Sequence, residues 1–345
     1  MSSQIPPLII ALAFFGIICV AELYKAIRQK IRRRQEEAAS SPHEGEESTW
    51  DELTRQHRPI MSSDPVSFSP GPYERLAAIS APYALCHQDP WDHLDSSDPE
   101  SEREMLARDW GVHSRIGLLT QIFQLIMFGH RSDFDEERAR WTNTSLAEAE
   151  RYELRGAAES SEDAAETLWR LERMRNNDRG IRNVDFAAWD MVRAAMLTRY
   201  GTALGWLTEA EAWDTLALLD RALRERYQSW TQVWESFRLT RWYWYSEGDE
   251  EEHFNDLHDL NRSLLLLGPD GPWKLIPWEI PVPESSLMIL DDLVNAGVAS
   301  PLSTGERARA TQWERWVDDQ VIARVRRSQQ FGLYHERHHR FTKNL

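Results

Sequence analysis

Between Ala188 and Trp244 the chain sets bulky aromatics at helical spacing and places charged residues directly among them. Trp230, Trp234, Phe237, Arg241 and Trp244 are separated by alternating steps of four and three residues, which puts them on one face of a helix. Four of the five are aromatic, so that face is a buried one, and it carries an arginine. Ala188-Trp189-Asp190 with Arg193, and Glu211-Ala212-Trp213, repeat the mixture of indole and charge. A chain patterned in this way folds as an all-α, Trp-rich, multi-helix domain with ionic groups inside it. Its sixteen Trp residues supply ample apolar area for such a core.

A guanidinium on an apolar face needs a carboxylate or several carbonyls, because an uncompensated buried charge is costly. Asp190 and Arg193 are three residues apart and can pair on one helix. Glu211 beside Trp213 is a second acid within the aromatic run. The expectation is a network of Asp190, Arg193, Glu211 and Arg241 joining three helices. It either fixes helix register or lines a pocket that receives an anionic ligand. Gly129-His130-Arg131 ends an apolar helix, with Gly as a cap and His and Arg suited to the dipole. Its alternative role is a second anion-binding point facing Arg193.

The rest of the chain divides by composition. Ile5 to Leu23 is apolar except for Glu22, and nineteen helical residues rise roughly 28 Å, about one hydrocarbon core. A cleaved signal peptide would want basic residues before this run, and Met1–Gln4 has none. A lipoprotein would want a small residue before Cys19, where Ile18 stands. Lys25, Arg28, Lys30, Arg32, Arg33 and Arg34 follow the run, and positive-inside logic places the C-terminal body in the cytoplasm. Residues 1–24 therefore read as a single transmembrane anchor in the inner membrane and residues 25–35 as a basic juxtamembrane segment. Residues 36–72 read as a disordered linker, residues 73–283 as the helical domain, and residues 284–345 as a helical extension with a basic tail. The net charge of −16 makes a broad nucleic-acid-binding surface an unsuitable role.

Capping signals place several helices. Thr208-Glu209-Ala210-Glu211 predicts a helix to Arg226, Ser229-Trp230-Thr231-Gln232 one to about Tyr245, and Ser303-Thr304-Gly305-Glu306 one to about Gln330. Periodicity predicts further helices over Tyr73–Cys86, Pro99–Trp110, Ser114–Phe128, Phe134–Arg155, Ala164–Asn176 and Val184–Tyr200. The proline-rich residues 268–283 predict irregular chain.

With Trp110-Gly111-Val112, Gly129-His130-Arg131, Ala188-Trp189-Asp190 with Arg193, Gly205 before Leu207-Thr208, Glu211-Ala212-Trp213, Tyr227 with Ser229-Trp230, and Arg241 to Trp244, the chain resembles a bacterial family known as domain of unknown function 1266. Trp273 and Trp278 are similar to the family's closing segment, so the resemblance covers roughly residues 105–280. Thr240 stands where the family pattern has Gly. The resemblance brings no activity, substrate or cofactor with it.

Other chemical motifs are sparse. His335-Glu336-Arg337-His338-His339 fits the spacing of a zinc-binding helix, but its intervening residues are basic and few residues follow for a third ligand. Glu250, Glu251, Glu252, His253, Asp256, His258 and Asp259 read as a solvated helix start rather than a cation site. The basic run from Arg324 to Lys343 points either to an acidic leaflet or to the protein's own acidic surface. No catalytic residue, metal ligand or cofactor is assigned. The expected role is a non-catalytic scaffold or interaction module with a protein partner, the alternative being an enzyme or ligand-binding protein that recognises an anionic small molecule.

Overall fold

The structure, a computed structural model, describes residues 58–246, 249–299 and 301–310. Fourteen α-helices follow one another among the described residues: α1 (Pro72–Ala78), α2 (Ala81–His87), α3 (Pro99–Trp110), α4 (Arg115–Met127), α5 (Gly129–Trp141), α6 (Thr144–Ala157), α7 (Glu162–Asn176), α8 (Ala187–Ala203), α9 (Glu209–Arg226), α10 (Trp230–Tyr245), α11 (Asp249–Leu267), α12 (Pro272–Leu275), α13 (Met288–Asn295) and α14 (Thr304–Ala310). A 3₁₀ turn over Asp178–Asn183 separates α7 from α8. The one element of sheet character among the described residues is an isolated bridge between Ile60 and Pro90.

Helix α8 is the axis of the fold. Every residue from Ala187 to Gly201 is buried, and α2, α3, α4, α5, α9 and α10 all pack on it. A helix apolar on all sides belongs in the middle of a domain, and α8 departs from that pattern at Asp190, Arg193 and Arg199. The main core runs from Leu76 through α4, α8, α9 and α10 to Leu293. A smaller aromatic core lies under α5–α7, where Phe134 stacks on Phe186 with ring centroids 3.6 Å apart and Trp141, Trp242 and Tyr243 close around them.

Sequence signals account for many of the helix boundaries. Asp98 accepts the Ser101 amide at the start of α3, and Gly111 ends that helix in the left-handed region. Thr208 and Glu211 form the reciprocal capping box of α9. At α10 the Ser229 hydroxyl caps the Gln232 amide, but the Gln232 side chain reaches past Ser229 to the Gln228 amide. Ser303 and Glu306 form their box, and α14 is described as far as Ala310.

Two expected helices are each broken in two. The helix expected over Tyr73–Cys86 stops at Ala78, because Pro82 in a continuous helix would collide with the carbonyl of that residue; instead Pro82 sits in the first turn of α2. The helix expected over Phe134–Arg155 starts earlier, at Gly129, and is interrupted where Asn143 turns its side chain onto the Ser145 and Leu146 amides to start α6. Residues 268–283 are irregular apart from α12. Thr240 is fully buried, its hydroxyl returned to the Ser236 carbonyl of its own helix.

The stretch read as linker is partly held in place. Asp92 accepts the amides of Ser62 and Ser63 at 2.8 and 2.9 Å, and Phe68 packs edge-on against Trp91. Backbone pairing to a folded loop is what the composition of 36–72 concealed. Helix α13 packs on α4 and α9. The apolar run Ile5–Leu23, the basic residues 25–35, His335 to His339 and the tail Arg324 to Lys343 lie outside the described residues. Among the described residues no helix is long and apolar enough to cross a membrane.

Candidate functional site

The α4–α5 corner and the first turn of α8 meet at Asp190. Its carboxylate is completely buried and accepts four hydrogen bonds: from the His130 amide at 2.9 Å, the Arg131 amide at 3.2 Å, the Arg131 guanidinium at 3.1 Å and the Arg193 guanidinium at 2.8 Å. The two amides belong to the first turn of α5, where helix N–H groups lack intrahelical acceptors. Asp190 thus fills, from within the protein, the position that an exogenous anion would take at a helix N-terminus.

Gly129 makes this approach possible. Its φ of +54° is the left-handed conformation, and a Cβ placed there would lie 2.0 Å from a carboxylate oxygen of Asp190. Gly129→Ala is expected to cost more than about 2 kcal/mol, the strained backbone contributing roughly 1–2 and the displaced carboxylate the rest. Urea denaturation followed by tryptophan fluorescence measures it, and an unchanged midpoint would contradict the contact. Glycine here is the start of α5 as much as the end of α4.

The surrounding groups fix the two arginines. Arg131 also donates to the carbonyls of Leu125 (2.7 Å) and Ile126, at the C-terminal end of α4. Arg193 stands over the Trp189 ring at 4.8 Å and the Trp110 ring at 5.7 Å. The Trp189 indole donates to Nδ1 of His130, whose ring stacks on Trp244. His130, Arg131, Asp190 and Arg193 therefore form one unit.

Glu211 and Arg241, expected in the same network, lie in two others. Arg115 of α4 grips Glu211 with both terminal nitrogens, at 2.7 and 3.1 Å, and also reaches Asp292 of α13 and the Trp206 carbonyl. Burial pushes the Glu211 carboxyl up, but the Arg115 and Thr208 hydrogen bonds outweigh it and hold it down to about 2. Arg241 turns to α11, where it donates to Asp259 at 3.0 Å and Asn255 at 2.9 Å. The four-residue network is thus replaced by three separate clusters: Arg193 pairs with Asp190 of its own helix, Glu211 with Arg115 of α4, and Arg241 with Asp259 of α11.

The acidic–histidine segment does open a helix, α11, as its acids predicted, but several of those acids are also engaged. Asp259 holds Arg241; Glu252 accepts from Arg173, Arg179 and the Trp242 indole; Asp256 accepts from Arg179. These acids serve the arginines of neighbouring elements, Asp256 while still 43% exposed, and no cluster of three metal-ligating side chains occurs among the described residues.

Three buried arginines went unmarked in the sequence, Arg170 on α7 and the two fully buried ones, Arg75 and Arg199. Arg75 and Asp220, both fully buried, pair at 2.8–2.9 Å, and the Arg75 guanidinium lies between the rings of Trp230 (4.8 Å) and Trp278 (4.6 Å). Arg199 of α8 donates to the Ser80 hydroxyl and to the carbonyls of Pro90 and Asp95. A pattern was available for the two fully buried ones: Asp220 ends the apolar run Leu216–Leu219, and Arg199 falls six residues after Arg193 on a helix otherwise apolar all round.

Comparison with known proteins agrees with the reading of the motifs. A family model described as "Protein of unknown function (DUF1266)" matches residues 105–278, which contain His130, Arg131, Asp190, Arg193, Glu211 and Arg241. The chain is 29% identical over 220 residues to "Uncharacterized protein YbeU" of Escherichia coli (strain K12), covering 59% of this chain and 89% of that protein. It is 31% identical over 146 residues to "Uncharacterized protein YbeR" of the same organism, covering 42% of this chain and 59% of that protein. No solved structure matches.

Proposed function

The chain belongs to the DUF1266 family, and from that premise we propose that it is a non-catalytic interaction module tethered to the inner face of a bacterial membrane. The observation that carries this reading is the closure of its central charges on one another. Asp190 takes up Arg131 and Arg193, Glu211 takes up Arg115, and Arg241 takes up Asp259. Charges matched in this way hold helices together, whereas acid–base or nucleophilic chemistry needs groups aimed at a reactant. The anchor is read from Ile5–Leu23 and the orientation from the basic residues that follow it.

The anchor and the module are tested together. The full chain should stay in the membrane pellet through an alkaline wash, and a chain beginning at Lys25 should be released. Protease should cut the body in inverted vesicles but not in intact spheroplasts. Release of the full chain by the wash removes the anchor; cleavage in spheroplasts reverses the orientation. A partner captured with the wild type and lost with a folded Arg241→Ala variant would place the contact at the α10–α11 face.

A second reading keeps an anionic ligand. Tyr83 of α2 is pushed up by burial and drawn down by the charges of Arg193, Arg262 and Arg241, which reach it from α8, α11 and α10. A small anion near Tyr83 would feel the same three charges, of which Arg193 is already paired with Asp190 and Arg241 with Asp259. Inorganic phosphate titrated against tryptophan emission tests this: a saturable change lost in Arg193→Met supports it, and no change at millimolar phosphate excludes it.

A further inference from the structure

Glu102, in the first turns of α3, is 3% exposed, and neither of its carboxylate oxygens has a hydrogen-bond partner among the described residues. Beside it, on α8, Tyr200 Oη and Arg199 Nη2 are likewise buried without one. Orphaned buried acceptors and donors are costly, and this grouping sets a carboxylate with both oxygens unpartnered beside a guanidinium and a phenol, which calls for an explanation. The charged groups that act on Glu102 come from each neighbouring element: Asp89 and Asp98 from the loop before α3, and Arg199 from α8, with the Ser96 hydroxyl favouring the carboxylate. Tyr200 feels Glu102 in turn, and His87 of α2 packs edge-on against the Tyr200 ring.

Arg199 links this group to the rest of the body. Through its bonds to Pro90 and Asp95 it fixes the loop over residues 88–98, and that loop fixes the entering chain: Asp92 holds the Ser62 and Ser63 amides, and the Trp91 amide donates to Ile60 at 3.0 Å.

We propose that Glu102 is a proton-operated latch: protonated, it stays packed beside Arg199 and Tyr200; once it loses the proton, the carboxylate draws in water and loosens the 88–98 loop together with the 58–68 segment pinned to it. An ionised carboxylate with the Ser96 hydroxyl as its one favouring donor is far costlier to bury than a carboxylic acid. Burial pushes Glu102 up to about 7, with Asp89 and Asp98 adding to it and Ser96 and Arg199 opposing. The closed form therefore keeps a proton that the open form has already released. Opening is favoured as pH rises toward 7, and above that both forms are ionised and the dependence stops.

Hydrogen exchange on the full chain in detergent, corrected for the intrinsic rate, tests the latch. From about pH 5 to about pH 7, protection of peptides covering 58–68 and 88–98 should fall by up to about tenfold per pH unit and then level off, while peptides of α9 stay unchanged. Glu102→Gln should be protected and flat across the range; if it does not fold, Glu102→Leu, equally without a proton, takes its place. His87→Gln should keep the wild-type slope. A flat wild-type profile, a slope that survives in Glu102→Gln, or a slope abolished by His87→Gln would each overturn the proposal.

Discussion

Asp190→Ala should lower the stability of the body by about 3–5 kcal/mol, the cost typical of leaving a buried ion pair half complete. The loss has two parts. Arg131 and Arg193 keep their positive charges in a site where their side chains are 9% and 4% exposed, with only carbonyls and indole faces to balance them. The His130 and Arg131 amides lose their acceptor at the start of α5, and a missing N-cap alone costs about 1 kcal/mol. Domains hold only about 5–15 kcal/mol in total, so the variant should melt well over 5 °C lower. Asp190→Asn separates the parts, since it retains an oxygen for the amides but no charge for the guanidinia. A normal melting profile for Asp190→Ala would show that the cluster does not hold the fold together, and would return it to the list of ligand sites.

Asp220→Ala should be of similar size, again about 3–5 kcal/mol, for a different geometric reason. Asp220 binds Arg75 through one oxygen and Arg224 at 2.6 Å through the other. Burial already pulls the Arg75 guanidinium down to about 10, and Asp220 is the main group that opposes it. Without the carboxylate, the cation between Trp230 and Trp278 keeps the Pro277 carbonyl as an acceptor and only the weaker pull of Glu279 as an opposite charge. The ring pair should open to water, giving a red shift in tryptophan emission before the global transition. Replacing both partners, Arg75→Met with Asp220→Leu, should recover much of the loss, because apolar groups of similar volume carry no desolvation cost. An emission spectrum and denaturation midpoint identical to wild type in Asp220→Ala would contradict the account.

Local signals were legible and distant partners were not. Thr208 with Glu211 and Ser303 with Glu306 mark helix starts because the atoms involved are three residues apart. The aromatic face of α10 was equally readable, and Trp230, Trp234 and Phe237 are buried as their spacing requires. Where Arg241 would turn was another matter. Asp190, Glu211 and Asp259 all offer a carboxylate, and only the packing of α11 on α10 selects Asp259. Arg115 lies 96 residues from Glu211, and Arg75 lies 145 from Asp220; no periodicity within one helix points to such a pair. The need for a counter-ion could be read from the chain, whereas its identity depended on tertiary packing.

The contact between Gly129 and Asp190 also bears on the order in which the chain is completed. The two residues that must touch are separated by some sixty positions, and everything between them belongs to α5, α6, α7 and the turn into α8. As the chain leaves the ribosome, the first turn of α5 has its amides and Arg131 ready, but its carboxylate has not yet been made. Helices α5 to α7 are therefore synthesised in full before the residue that caps the first of them, and the aromatic core beneath them closes only when α8 and then Trp242 and Tyr243 of α10 arrive.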